Sequence, residues 1–141
     1  MVLSSSWIPD DGLLPKWLLF VSVLSIFNTA QAYARPLALT RRVYNQAAHE
    51  VTPLTSRMFG CWTLVSAVVR LYAAYHIRNP VVFGLLAWTF GIAWVHYFTE
   101  LFVFRSARLL GPALSPVIVA TTSLVWMYST ADYYIGAKAF L

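Results

Sequence analysis

The sequence predicts an all-α fold, a bundle of four membrane-spanning helices joined by short loops, and three observations carry that prediction. Of the 141 residues, 60% are hydrophobic and only 11% are charged, an apolar share above that of an ordinary soluble domain. The apolar residues gather into four stretches, at about 17–34, 58–77, 81–104 and 112–130, each near the roughly 20 residues a helix needs to cross a hydrocarbon core of about 30 Å. Breakers separate them: Pro15 and Lys16 precede the first, Arg35 and Pro36 follow it, Asn79 and Pro80 divide the second from the third, and Gly111 and Pro112 open the fourth. In hydrocarbon every backbone N–H and C=O must be satisfied inside the structure, so runs of this length are helices rather than isolated strands.

Taken in order, the chain reads as one membrane domain over 1–141. Its N-terminal tail, residues 1–16 (MVLSSSWIPDDGLLPK), lacks the basic start and the small-residue cleavage site of a secretory signal, so the first span is expected to stay as an uncleaved anchor. The polar loop 35–57 carries LTRRVYNQAAHE and is expected to hold a short interfacial helix. No internal repeat is visible, which argues against a duplicated transporter. Cys61 is the only cysteine, so an intrachain disulfide and a multi-thiolate metal site are both excluded. It is expected to pack as a small hydrophobe.

The formal net charge of +5 does not point to nucleic acid, because the basic residues sit at the ends of apolar runs rather than on one solvated face. There they suit lipid headgroups and topology control. The first and third loops hold Arg35, Arg41, Arg42, Arg57, Arg105 and Arg108, against Lys16, Arg78 and Lys138 for the termini and second loop. Cytoplasmic first and third loops and lumenal termini are the expectation. Aromatic residues near span ends, among them Trp7, Trp17, Tyr33, Tyr72, Tyr75, Tyr128, Tyr133 and Tyr134, read as interface anchors.

Polar residues inside the spans are the candidates for function. Arg70 lies well within the second span, where a charged group costs a few kcal/mol and must find protein or water; Asn28 or Gln31 on the first span is its expected partner. His96 and Glu100, four apart on the third span, share a helix face and form the best acid–base candidate available. Counting outwards from the turn at Asn79 puts Arg57 at the depth of Glu100, so a structural ion pair between Arg57 and Glu100 is the favoured reading. Gly84, Ala87 and Gly91 form a small-residue face on the third span, suited to close packing within the bundle, to a homodimer or to a partner's helix. In the first loop, Arg41, Arg42 and Tyr44 are candidate interaction residues. Three histidines cannot ligate a histidine-rich di-iron centre. No GxSxG, HExxH, P-loop or dinucleotide fingerprint appears, and Thr121, Thr122 and Ser123 read as packing hydroxyls. No catalytic residue, cofactor or metal is therefore assigned.

Five ordered stretches, LPKWLLFVSVLSIFNTAQAY, LTRRVYN, SRMFGCWTLVSAVVRLYAAYHI, TELFVFRSARL and TTSLVWMYSTADYY, spanning about Leu14 to Gly136, resemble the ergosterol biosynthetic protein 28 family. The resemblance implies a non-catalytic, multi-pass scaffold of the endoplasmic reticulum membrane. Its implied partners are the sterol C-4 methyl oxidase, the C-4 decarboxylating dehydrogenase and the 3-keto sterol reductase, with the C-24 methyltransferase as a further neighbour. The family has no defined catalytic residues to carry over. The C-terminus IGAKAFL has no dilysine or KDEL-type address, so retention falls to span length or to partners. A reading of a different class is a small intramembrane sterol or lipid isomerase in which His96 and Glu100 move a proton within a cavity lined by Trp88 and Trp94.

Overall fold

The computed structural model describes residues 7–136, and among them the helices are α1 (Leu13–Ala34), α2 (Ala38–Val43), α3 (Pro53–Tyr75), α4 (Pro80–Phe102) and α5 (Leu114–Ile135). All except α2 are long and apolar enough to cross a membrane. Lys138, counted above towards the terminal charge, lies outside the described residues.

Local chemistry sets the helix starts. Thr52 caps α3 in a reciprocal box: its hydroxyl accepts from the Thr55 backbone N–H, and its own N–H donates to the Thr55 hydroxyl. Pro53 then takes the first helical position, where its missing N–H costs nothing. The Asn79 side chain accepts from the N–H groups of Val81 and Val82 ahead of α4. At the head of α1, Gly12 has φ 94, and a Cβ there would lie 2.7 Å from the Tyr134 hydroxyl, so both conformation and space require glycine. Pro15 falls inside the first turn of α1 and is buried, later in the helix than the breaker expected before the span. Proline is tolerated there because the first-turn N–H groups have no intrahelical partner.

The spans alternate in direction, α1 packing along α3 and α4 along α5, with the tight turn 76–79 joining α3 to α4. The α1–α3 contact is a seam of small and hydroxyl residues. Leu18, Ser22, Ser25, Thr29 and Ala32 are buried on α1, opposite Ser56, Gly60, Ala67 and Ala74 on α3. Their spacing of four, three and seven residues is that of a heptad seam. A Cβ on Gly60 would come within 3.1 Å of both the Ala32 Cβ and the Tyr33 ring, so the two backbones meet as closely as glycine allows. The Thr29 hydroxyl donates to the Gly60 carbonyl at 3.2 Å, and the Ser56 hydroxyl to the Ala32 carbonyl at 3.1 Å.

One apolar cluster centres on Leu14, Leu18, Phe83, Leu86, Phe90 and Met127; a second, at the opposite end, joins Ala32, Phe59, Tyr97 and Leu101 to loop residues Val43 and Ala107. The Trp17 indole donates to the Ser123 hydroxyl at 2.9 Å and ties α1 to α5. Trp17 and Tyr134, read from the sequence as interface anchors, are thus internal fasteners; Trp7, Tyr33, Tyr72, Tyr75, Tyr128 and Tyr133 stay exposed. Cys61 is exposed on α3 rather than packed in the core.

Candidate functional site

The polar loop 35–52 folds as α2, a 3-10 turn at Ala48–Glu50 and connecting turns. It docks against the loop after α4. The Ser106 carbonyl accepts from the N–H groups of Gln46 (2.9 Å) and Ala47 (3.2 Å), and the Asn45 side-chain oxygen accepts from the Arg108 N–H at 3.0 Å. Thr40 on α2 meets Ser56 on α3 hydroxyl to hydroxyl at 2.8 Å. Two loops distant in sequence therefore make one cap across the same end of the bundle.

That cap carries Arg35, Arg41, Arg42, Arg57, Arg105 and Arg108 against Glu50 and Glu100; the other end holds Lys16 and Arg78 against Asp10, Asp11 and Asp132. At this second end Arg78 grips Asp11 through two bonds of 2.6 and 2.7 Å. These bonds hold the Arg78 guanidinium above its ordinary pKa. The Tyr134 hydroxyl donates to the Asp11 carbonyl at 3.0 Å, latching the N-terminal segment to α5.

Arg70 is 7% exposed, and its partner is on α4, not α1. Its Nε donates to the Thr89 hydroxyl at 3.2 Å and a terminal nitrogen to the Thr89 carbonyl at 3.4 Å. The guanidinium also lies 4.3 Å from the Phe90 ring centroid, within cation–π range. The expected bond to Asn28 or Gln31 is absent because of register. Thr29 is level with Gly60, so Asn28 sits about nine residues, or about 14 Å at 1.5 Å per residue, from the level of Arg70. Asn28 and Arg70 do border one cavity of about 160 Å³, together with Ser25, Ser66 and Tyr97.

The expected Arg57–Glu100 ion pair does not form. Among the described residues, the ion pairs are Arg78–Asp11 and His49–Glu50. Arg57 is exposed, next to Ser56, which faces α1; equal depth in a helical hairpin does not give equal azimuth. The Glu100 carboxylate instead receives the Ser106 hydroxyl. The turn that brings Ser106 back has Arg105 at φ 56, a left-handed conformation costly for a side-chain-bearing residue. The Ser106 N–H, donating to the Glu100 carbonyl at 2.9 Å, helps to hold it.

His96 also finds a partner the sequence did not indicate: its Nε2 is 2.7 Å from the Tyr44 hydroxyl. Burial pushes the Tyr44 phenol above its ordinary pKa, and Tyr97 and Glu100 add to the shift, so Tyr44 keeps its proton. Tyr44, read as a loop interaction residue, turns inward, whereas Arg41 and Arg42 stay exposed. His96, Glu100, Tyr44 and Ser106 all border an open-sided cavity of about 510 Å³ walled by Met58, Phe59 and Trp62. Its indole is Trp62: Trp88 is 58% exposed and does not line it, and Trp94 stacks on Phe98.

On α4, Gly84 and Ala87 are buried, whereas a Cβ on Gly91 would meet nothing within 4 Å. The small-residue face therefore divides between the core and an outward notch. Of Thr121, Thr122 and Ser123 on α5, Ser123 and Thr121 accept indole N–H bonds from Trp17 and Trp94, and Thr122 is exposed. Among the described residues, no group of three His, Cys, Asp or Glu side chains is placed to hold a metal ion.

The molecule is thus a polytopic helical membrane protein whose intramembrane polar side chains bond mostly to backbone carbonyls, one turn back or on a neighbouring helix, and otherwise to one another. A family model described as Erg28 like protein matches residues 14–125. The chain is 45% identical over 125 residues to ergosterol biosynthetic protein 28 of Saccharomyces cerevisiae, covering 89% of this chain and 84% of that one. It is 46% identical over 128 residues to the protein of the same name from Candida albicans, with 90% and 91% covered. The human ergosterol biosynthetic protein 28 homolog is 35% identical over 116 residues, with 82% and 83% covered. No solved structure matches. The chain belongs to the Erg28 family, the ergosterol biosynthetic protein 28 family.

Proposed function

We propose that this protein is a non-catalytic scaffold of the endoplasmic reticulum membrane that tethers the enzymes of sterol C-4 demethylation: the C-4 methyl oxidase, the C-4 decarboxylating dehydrogenase and the 3-keto sterol reductase. The C-24 methyltransferase is a further neighbour. The observation that carries the reading is how much helix surface the bundle leaves unused. Only 22% of the most apolar stretch of α5 is buried within the molecule, against 39% for α1 and α3. The outward side of α4 offers the Gly91 notch between exposed Trp88, Ile92 and Val95. In a bilayer, helices associate by packing, and a small residue lets another backbone approach. The names of the fungal relatives supply the pathway.

Tethering needs no bond chemistry. Holding sequential enzymes within reach of one another raises the effective concentration of each intermediate at the next active site. Purified gently in mild detergent, the protein is expected to bring the three demethylation enzymes with it, and deleting its gene should make C-4-methylated sterols accumulate. Gly91→Leu, which meets no atom of its own bundle, should leave folding intact and weaken enzyme capture. Normal sterols together with no captured sterol enzyme would overturn the proposal.

A sterol isomerase is the second reading, favoured by the shared cavity of His96 and Glu100. Glu100→Gln separates the two. An isomerase loses turnover with its complexes intact; a scaffold keeps sterol flux or loses assembly.

A further inference from the structure

We propose that the open-sided cavity beneath the loop cap is a sterol-binding site that takes the ring system of a 3-hydroxysterol, with the C3 oxygen against the Tyr44, His96 and Glu100 cluster. The inference rests on the proposed role in sterol synthesis and adds a ligand to it.

Size, polarity and depth each narrow the occupant. At about 510 Å³ the cavity falls within the roughly 300–1,000 Å³ of small-molecule sites. One end is polar and the walls are apolar, from Met58, Phe59 and Trp62, which suits an amphiphile with one small polar group. No arginine or lysine lines it, while Glu50 and Glu100 do, which disfavours a phosphate headgroup within it. Arg35 and Arg42 flank a separate groove on the other side of α2.

Hydrogen-bonding capacity remains at the polar end. Ser106 engages one of the two Glu100 carboxylate oxygens, leaving the other to accept from an alcohol. In the Tyr44–His96 pair, donor and acceptor exchange with the tautomer of His96, so the phenol can either give or receive a bond. The depth fits too. Glu100 lies two residues and His96 six residues from the end of α4 at Phe102, or about 3 and 9 Å along the axis. A sterol in a bilayer likewise holds its hydroxyl near the headgroups and its rings in the hydrocarbon.

The test uses the full-length protein in phosphatidylcholine nanodiscs and tritiated ergosterol, read by scintillation proximity against empty discs. Saturable binding above empty discs is expected, with ergosteryl acetate, whose C3 oxygen cannot donate, competing at least about tenfold less well than ergosterol. Met58→Trp should weaken binding about tenfold or more by filling the cavity, and Met58 is 62% exposed, so the fold survives the change. Glu100→Leu should also weaken it. Binding no greater than empty discs, an unchanged Met58→Trp, equal competition by the acetate, or displacement by phosphatidylserine as readily as by ergosterol would each overturn the site. Enzyme capture by Met58→Trp keeps the two proposals apart. Lost sterol binding with capture retained supports the site and leaves tethering standing; sterol binding without capture by the unaltered protein sinks tethering alone.

Discussion

Arg70 shows what a single charge inside a bilayer demands. Its guanidinium is satisfied by one threonine and one aromatic ring, with no ion pair, and the Thr89 hydroxyl donates independently to the Leu86 carbonyl at 2.8 Å. Replacing the arginine therefore leaves no neighbour without a partner. Arg70→Met is expected to unfold within about 1 kcal/mol of the original protein or to be more stable, because an apolar residue of similar volume removes a buried charge. Thr89→Val takes away the hydroxyl acceptor and keeps the charge, and should cost about 1–3 kcal/mol. Thermal unfolding in detergent measures both. The identities of Arg70, His96 and Glu100 as the polar residues of interest were legible in the sequence, but their partners were not. Counting from a turn gives depth along a helix; choosing Thr89 over Asn28, or Ser106 over Arg57, also needs azimuth, and for the first pair the α1–α3 register.

At the scale of elements, hydropathy and length pick out the membrane helices, while the seam that holds α1 to α3 hides from the same signal. Serine, threonine and glycine lower the apolar score of the faces that pack best, so hydropathy points to a small-residue face on α4, where Gly91 meets nothing, and passes over Gly60. The run Leu18, Ser22, Ser25, Thr29 and Ala32, stepping by four and three, was the signal that could have revealed it. Each hydroxyl in that run also bonds back one turn, Ser22 to Leu18, Ser25 to Val21 and Thr29 to Ser25, so none is left bare towards lipid. Gly60→Leu would force its side chain into Ala32 and Tyr33 and should destabilise the protein by about 1–3 kcal/mol. Gly91→Leu should be neutral by the same thermal measurement, because a Cβ there meets nothing within 4 Å.

For the whole molecule, charge asymmetry is the feature that predicts its orientation. Six arginines on the cap, facing two acidic residues, contrast with two cations among three aspartates at the opposite end of the described residues. An excess of arginine and lysine in short loops holds them in the cytoplasm. A glycosylation acceptor appended after Leu141 is expected to be modified in microsomes, and one inserted at 46–50 is not; the reverse pattern would invert the orientation. Changing Arg35, Arg41, Arg42 and Arg57 together to Gln should produce molecules of mixed orientation. The bonds from Gln46, Ala47 and Asn45 to the Ser106–Arg108 turn also set an order of events during translation. The seam between the first two long helices can form as soon as both have left the ribosome, but the cap that covers it waits for a turn encoded some thirty codons after the second of them, just ahead of the last helix. Until that turn arrives, the nascent chain presents an unfinished rim, and a chain halted after α3 has emerged but before the turn has done so would be a paired but uncovered intermediate.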